Sequence, residues 1–231
     1  MHYRIQGPAR LAGRFRPSGN KNGALPLLAA CLLTDEPVVL DTVPEIRDVF
    51  TMIELIQQLG ATVEHLSDNT FRIDAADVNT GSVDPDLSRR IRASILLAGP
   101  LLARLGEVVL PPPGGDVIGR RRLDTHFLAL SRLGSKVEAG ESYELRAKEL
   151  RGADLFLDEP SVTGTENAIL AAVRATGETT IRNAAAEPHV QDLCSFLVSL
   201  GAEIEGIGTH RLTIRGVRSL SGGTWRVGTD H

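Results

Sequence analysis

Three stretches of this chain finish in the same way, and that repetition limits the fold more than any other feature. Each is an apolar-periodic run that closes on Leu-Gly and a small residue and then alternates. They run from Ile53 to Glu64 through Leu59-Gly60-Ala61, from Phe127 to Glu138 through Leu133-Gly134-Ser135, and from Cys194 to Glu205 through Leu200-Gly201-Ala202. The glycine suits the left-handed residue just past a helix end, and the alternation after it reads as a strand. A returning strand follows each time, at residues 70–74, 142–146 and 210–214. Self-similarity on this scale points to one supersecondary unit used three times.

Upstream of each ending lies an apolar helix running into a short strand. The helices are read at residues 22–33, 92–103 and 166–175, and the strands at 38–40, 108–110 and 179–181. Both helices of a copy are more apolar than a surface helix, which places helices inside the domain and sheets around them. The expectation is an α/β (α+β) fold, a domain of three pseudo-symmetric βα repeats at about 18–80, 88–150 and 160–217.

Spacing singles out the middle copy. Gly60 lies 20 positions after Leu40 and Gly201 lies 20 after Ile181, but Gly134 lies 24 after Leu110. The four extra residues fall in Pro111-Pro112-Pro113-Gly114-Gly115-Asp116-Val117-Ile118-Gly119-Arg120-Arg121-Arg122. An insertion that the scaffold does not need is where function is expected. The charge agrees: residues 89–122 hold seven arginines against Glu107 and Asp116, a local +5 in a chain of net charge −4. Arginine forks suit phosphate and carboxylate, so a local anion site is expected, with Arg89 and Arg104, taken singly, equally readable as a solvated helix face.

Other classes are excluded on composition. Apolar residues at 42% and charged residues at 23% describe an ordinary globular chain. Aromatics at 4% leave no stacking platform for single-stranded nucleic acid, and no nucleic-acid partner is expected. The longest apolar runs fall short of the roughly 20 residues of a membrane span. The opening residues lack a signal-peptide pattern, so a cytoplasmic location is expected. Cys31 and Cys194 stand apart in apolar stretches and read as buried thiols, while the scattered histidines offer no metal set; no metal or cofactor is expected. Walker, G-x-G-x-x-G, H-E-x-x-H and G-x-S-x-G motifs are absent.

What remains is a set of helix starts. Ser18-Gly19-Asn20-Lys21-Asn22-Gly23 opens the first helix, Arg92 opens its counterpart in the middle copy, and Thr163-Gly164-Thr165-Glu166-Asn167 opens the third. Helix N-termini favour anions, and threefold symmetry would bring these three to one end of the domain. Taken alone, residues 18–22 read as an N-cap sooner than a ligand site; their recurrence at equivalent positions is what points to function. At the chain ends, residues 3–7 read as a strand without a counterpart in the copies, and residues 223–231 read as a segment leaving the domain.

Four motifs carry a resemblance. SGNKNGALPLLAACLL (18–33), RRIRASILLAGPLLARLGE (89–107), PGGDVIGRRRLDTHFLALSRLG (113–134) and SVTGTENAILAA (161–172), in this order, are similar to the UDP-N-acetylglucosamine 1-carboxyvinyltransferase family of enolpyruvyl transferases. The shikimate-pathway enolpyruvyl transferases share the repeats but carry different glycine and arginine motifs. The resemblance implies two similar inside-out domains and transfer of the enolpyruvyl group of phosphoenolpyruvate to the 3′-hydroxyl of UDP-N-acetylglucosamine, with release of phosphate, as the first committed step of peptidoglycan synthesis. It implies that Lys21, Asn22, Arg92 and Arg121 bind phosphoenolpyruvate. It also implies that Asn22, Arg92, Arg121, Arg122, Leu123, Asp124, Thr125, Ser161, Val162, Thr163 and Gly164 bind the nucleotide sugar. Arg120 and Arg122 have a solvated reading as well, and His126 one as a brace for the loop.

Two departures from the family pattern stand out. Asp116 occupies a position that is cysteine in most members, where the implied role is proton donation to the methylene carbon or assistance to product release. Family chains are also about twice as long. Residues 1–17 are therefore expected to belong to a second enolpyruvyl transferase domain, 18–227 to form the three-repeat domain, and 228–231 to begin a return linker, leaving this chain alone without turnover. The alternatives are an enolpyruvyl transferase with shikimate 3-phosphate as acceptor and a non-catalytic half-protein that binds the nucleotide sugar.

Overall fold

A computed structural model describes residues 2–4, 6–10, 12–115 and 122–230. The first copy begins with α1 (Lys21–Ala30), whose N-cap Asn20 accepts the backbone N–H groups of Asn22 at 2.7 Å and Gly23 at 3.2 Å. Every residue of α1 from Gly23 onward is buried, so this helix lies inside the domain. It continues through a 3-10 turn (Cys31–Leu33) into β1 (Val38–Asp41). Then come α2 (Arg47–Gln58), β2 (Thr62–Ser67) and β3 (Thr70–Asp74).

The second copy follows the short α3 (Pro85–Ser88). Its inner helix is split into a 3-10 segment (Arg92–Leu97) and α4 (Ala98–Leu105), where a continuous helix over 92–103 is expected from the sequence. Pro100 has no N–H to give the Leu96 carbonyl, and the Ser94 hydroxyl bonds back to Ile91 O at 3.1 Å; both disfavour regular α geometry there. β4 (Glu107–Leu110), α5 (Asp124–Arg132), β5 (Lys136–Ala139) and β6 (Tyr143–Arg146) complete the copy. After the connecting strand β7 (Asp154–Phe156), the third consists of α6 (Val162–Ala172), β8 (Glu178–Arg182), α7 (Pro188–Ser199), β9 (Glu203–Glu205) and β10 (Arg211–Arg215). α6 starts four residues before its expected position because Ser161 caps it, accepting Gly164 N–H at 3.2 Å. β11 (Gly223–Arg226) ends the described strands.

The Leu-Gly endings are one local structure made three times. Gly60, Gly134 and Gly201 have φ of 110°, 104° and 102°. The following residue donates to the carbonyl five positions back in each case: Ala61 to Ile56 at 3.0 Å, Ser135 to Leu130 at 3.0 Å and Ala202 to Leu197 at 2.9 Å. Each glycine also donates three positions back, which completes a Schellman motif.

The copies are joined into a ring by parallel pairing. The segment leaving the first copy bridges Ser82 to Val109 on β4, and the segment leaving the second supplies β7, parallel to β8. The segment leaving the third returns to the first as β11, parallel to β1 with Val38 opposite Gly223. Residues 223–226 are thus part of the domain's own sheet, inside the expected 18–227 unit and not in a segment that leaves it. The described residues among 2–10 form no strand and are exposed. A strand needs a hydrogen-bonding edge, and β11 already occupies the outer edge of β1.

The inner helices α1, α4 and α6 are surrounded by three sheets, ordered β11-β1-β3-β2, β4-β6-β5 and β7-β8-β10-β9. Both cysteines are buried free thiols. Arg104 is not a solvated helix residue: its guanidinium meets Asp35 at 2.6 Å and the carbonyls of Leu32 at 3.1 Å and Ala76 at 3.2 Å, so it ties the first copy to the second. Among the described residues no helix is long and apolar enough to cross a membrane.

Candidate functional site

The helix starts meet. A cleft of about 900 Å³ is lined by Lys21 and Asn22 from α1, Arg92 from the 3-10 segment, and Ser161, Val162 and Thr163 from the opening of α6. Its volume lies within the range of small-molecule sites. The outer helices open at the same end and contribute Asp48 from α2 and Glu187 and His189 from the start of α7. Arg122, just ahead of α5, completes the set. First-turn N–H groups have no partner inside their own helix, so several helix starts together favour a ligand carrying more than one negative charge.

Local chemistry fixes these groups. Pro26 in α1 has no N–H to give the Asn22 carbonyl beside the cleft. Lys21 Nζ lies 3.1 Å from Asp48 Oδ2, both side chains being well exposed. Arg92 Nη2 donates to the Arg122 carbonyl at 3.3 Å. Gly114 and Gly115 donate to the carbonyls of Ser88 at 3.1 Å and Arg89 at 3.2 Å, which pins the base of the insertion beside Arg92. Gly114 must be glycine for this approach, because a Cβ there would lie 1.7 Å from the Arg89 carbonyl oxygen.

Behind the cleft, α5 is locked to α6. Thr125 Oγ1 donates to Asp158 Oδ1 at 2.6 Å, and Arg122 pairs with Asp124 at close range. Buried His126 reaches Thr163 Oγ1 with Nε2 at 3.2 Å and Asn167 Nδ2 with Nδ1 at 3.0 Å. It therefore braces the opening of α6. Burial, seconded by the nearby Arg92 cation, pushes its pKa down to about 3. Glu166, wholly buried at the cleft's inner wall, has an Oε1 with no hydrogen-bond partner, and burial followed by repulsion from Glu187 holds its pKa well above the usual carboxylate range.

The sequence-expected residues thus divide. Lys21, Asn22, Arg92, Arg122, Ser161, Val162 and Thr163 line the cleft, while Leu123, Asp124, Thr125 and Gly164 are outside its lining. Asp116, Arg120 and Arg121 lie outside the described residues. Arg89 pairs with Asp86 at 3.4 Å on the exposed surface. Sequence reasoning missed Asp48, Glu187 and His189. The available signal was the symmetry itself, since the outer helix of each copy starts at the same end as the inner one.

A family model described as EPSP synthase (3-phosphoshikimate 1-carboxyvinyltransferase) matches residues 5–231. Two curated relatives are named UDP-N-acetylglucosamine 1-carboxyvinyltransferase. The one from Bradyrhizobium diazoefficiens is 60% identical over 231 residues, and that from Treponema denticola is 54% identical over 232; each alignment covers 100% of this chain and 54% of the relative. The chain therefore spans about half the length of these relatives. Among solved structures, the enolpyruvyl transferase NikO from Streptomyces tendae superposes with a TM-score of 0.82 at 26% identity, over 98% of this chain and 54% of that one. An EPSP synthase from Acinetobacter baumannii gives 0.73 at 19% identity over 94% and 50%, a likeness of fold. The family match runs through all three copies and the cleft between their helix starts, and the chain belongs to the EPSP synthase (3-phosphoshikimate 1-carboxyvinyltransferase) family.

Proposed function

We propose that this chain is the nucleotide-sugar half of a UDP-N-acetylglucosamine 1-carboxyvinyltransferase. In the reaction, the 3′-hydroxyl of UDP-N-acetylglucosamine adds to C2 of phosphoenolpyruvate while a proton is added at the methylene carbon. Loss of phosphate and of a methyl proton then leaves the enolpyruvyl ether. The observation that carries this reading is the cleft itself: helix starts from three copies, with Lys21, Arg92 and Arg122, converge in a chain 60% identical to a relative of that name. Charge-assisted bonds there position a multiply charged pair of substrates and stabilise charge that develops on the phosphate.

In this assignment Lys21, Asn22, Arg92 and Arg121 hold phosphoenolpyruvate. Asn22, Arg92, residues 121–125 and residues 161–164 hold the nucleotide sugar, with Thr125 and Gly164 acting from outside the cleft's lining. Asp116 is the proton donor or assists product release. An aspartate with a reference pKa of about 3.9 is almost wholly ionised at neutral pH, and it gains acid character only when bound phosphate and carboxylate raise it. Residues 1–17 and 228–231 belong to the junction with a second enolpyruvyl transferase domain, and the enzyme works in the cytoplasm.

The test is calorimetric titration of the chain with UDP-N-acetylglucosamine, followed by phosphate release with phosphoenolpyruvate, with and without a separately produced C-terminal half. Binding by the chain and turnover only in the presence of the second half are expected. Turnover with shikimate 3-phosphate instead of the nucleotide sugar would overturn the acceptor assignment. Binding without turnover after reconstitution would leave a non-catalytic half-protein.

A further inference from the structure

The hydrogen-bond network behind the cleft fixes the direction of one hydroxyl in it. Asn167 can be oriented in only one way: its Oδ1 accepts the backbone N–H of Gly99 at 2.7 Å, so the other atom of the amide is the nitrogen. That nitrogen gives one hydrogen to the Ile95 carbonyl at 2.8 Å and the other to His126 Nδ1 at 3.0 Å. Nδ1 must then be a bare acceptor, so the proton of the neutral ring sits on Nε2 and is donated to Thr163 Oγ1 at 3.2 Å. With its oxygen engaged as acceptor from His126, Thr163 has its own hydrogen left to give to a partner in the cleft it lines.

We infer that His126 is a positioning residue that sets Thr163 as a hydrogen-bond donor to an acceptor oxygen of the bound nucleotide sugar, a phosphoryl or carbonyl oxygen rather than an N–H or O–H hydrogen. The inference deepens the proposed function and rests on it for the identity of the ligand, while the direction of the network stands on the Gly99 and Ile95 backbone groups alone. The surroundings keep the ring neutral. Arg92 is the cation nearby, Asp124 is paired with Arg122, Asp158 is held by Thr125, and α6 faces the ring with the uncharged Thr163 and Asn167. A proton added at Nδ1 would face an amide N–H, so the network has one stable direction.

Two measurements test it on the chain as it stands. Long-range nitrogen–proton correlation spectra of the imidazole should show Nδ1 without a proton and Nε2 with one, unchanged from pH 8 to pH 5. A proton on Nδ1, or titration of the ring near pH 6.5, overturns the inference whether or not any ligand binds. The second is a double-mutant cycle on UDP-N-acetylglucosamine affinity. Thr163→Val should weaken binding about tenfold and Thr163→Ser only slightly. His126→Leu should weaken binding in the parent but add little in the T163V background, while His126→Gln, which keeps an N–H near the Nε2 position, should recover most of the loss. Thermal melts run in parallel identify any variant that fails to fold. Equal losses for His126→Leu in both backgrounds would show a merely structural role and overturn the positioning one. Absence of any nucleotide-sugar binding by the parent chain would instead refute the proposed function, with the spectra still deciding the tautomer.

Discussion

Asp192 on α7 accepts the indole N–H of Trp225 at 3.1 Å through Oδ1, and its Oδ2 takes the backbone N–H of Gly228 at 3.0 Å. The Gly228 carbonyl in turn accepts the N–H of Asn20 at 2.8 Å, and Asn20 caps α1. One carboxylate thus links the ring-closing strand to the helix start that carries Lys21 and Asn22. Removing it by Asp192→Ala strips two charge-assisted bonds, and a loss of about 2 kcal/mol is expected in urea unfolding. Trp225 is the chain's one tryptophan, so a red shift of fluorescence should accompany the loss. Unchanged stability and emission would show that the clamp is not formed.

The base of the insertion depends on Gly114. Gly114→Ala places a methyl group where the Arg89 carbonyl oxygen lies, and either α3 or the insertion must shift. A destabilisation of about 1–3 kcal/mol is expected, typical of overpacking against backbone. Binding of UDP-N-acetylglucosamine by the folded variant should weaken as well, because Gly115 borders the cleft. Native affinity in calorimetry would count against the insertion's role in the site.

Two buried groups tilt stability with pH in opposite senses. The folded pKa of His126 is about 3, below its unfolded value near 6.5, so the unfolded chain takes up the proton first as pH falls. Stability from this group is fully present above pH 6.5 and declines below it by up to about 1.4 kcal/mol per pH unit, until the folded pKa is reached. Glu166 has its folded pKa raised by burial, so its contribution is present below the unfolded carboxylate pKa and is lost as pH rises above it. Glu166→Gln should therefore stabilise the chain at pH 8 and leave it nearly unchanged at pH 4. Urea midpoints across that range check both slopes, and a Gln variant weaker than the parent at pH 8 would contradict the Glu166 assignment.

Thiol-directed epoxides should fail on this chain. On the proposed function, Asp116 stands where most UDP-N-acetylglucosamine 1-carboxyvinyltransferases would carry the thiolate that fosfomycin alkylates. The two cysteines present are buried, Cys31 with its pKa pushed up by desolvation and Cys194 to about 12 by desolvation and the nearby Glu166. Neither supplies thiolate at neutral pH. Intact-mass spectrometry after incubation with fosfomycin should show the unmodified chain; an adduct on the peptide that contains Gly115 and Asp116 would overturn the prediction.

The sequence by itself determined the units and their ends. A Schellman motif closes within six residues, and an Asn20 or Ser161 cap within four, so the identities of adjacent residues were enough to locate them. The same local logic marked the helix starts, which line one cleft, and marked the insertion as extra to the scaffold. Tertiary structure alone decided how the copies close. The pairing of β11 with β1 joins residues 185 positions apart (Val38 and Gly223), and no pattern in Gly223 to Arg226 names its partner. It also decided that Arg104 ties two copies together, that Asp48 and Glu187 face Lys21 and Glu166 across one cleft, and that His126 turns toward Thr163 and Asn167. Local caps are chosen by neighbours along the chain, whereas strand partners, buried charge and the direction of a hydrogen bond are chosen by whatever the rest of the fold brings within reach.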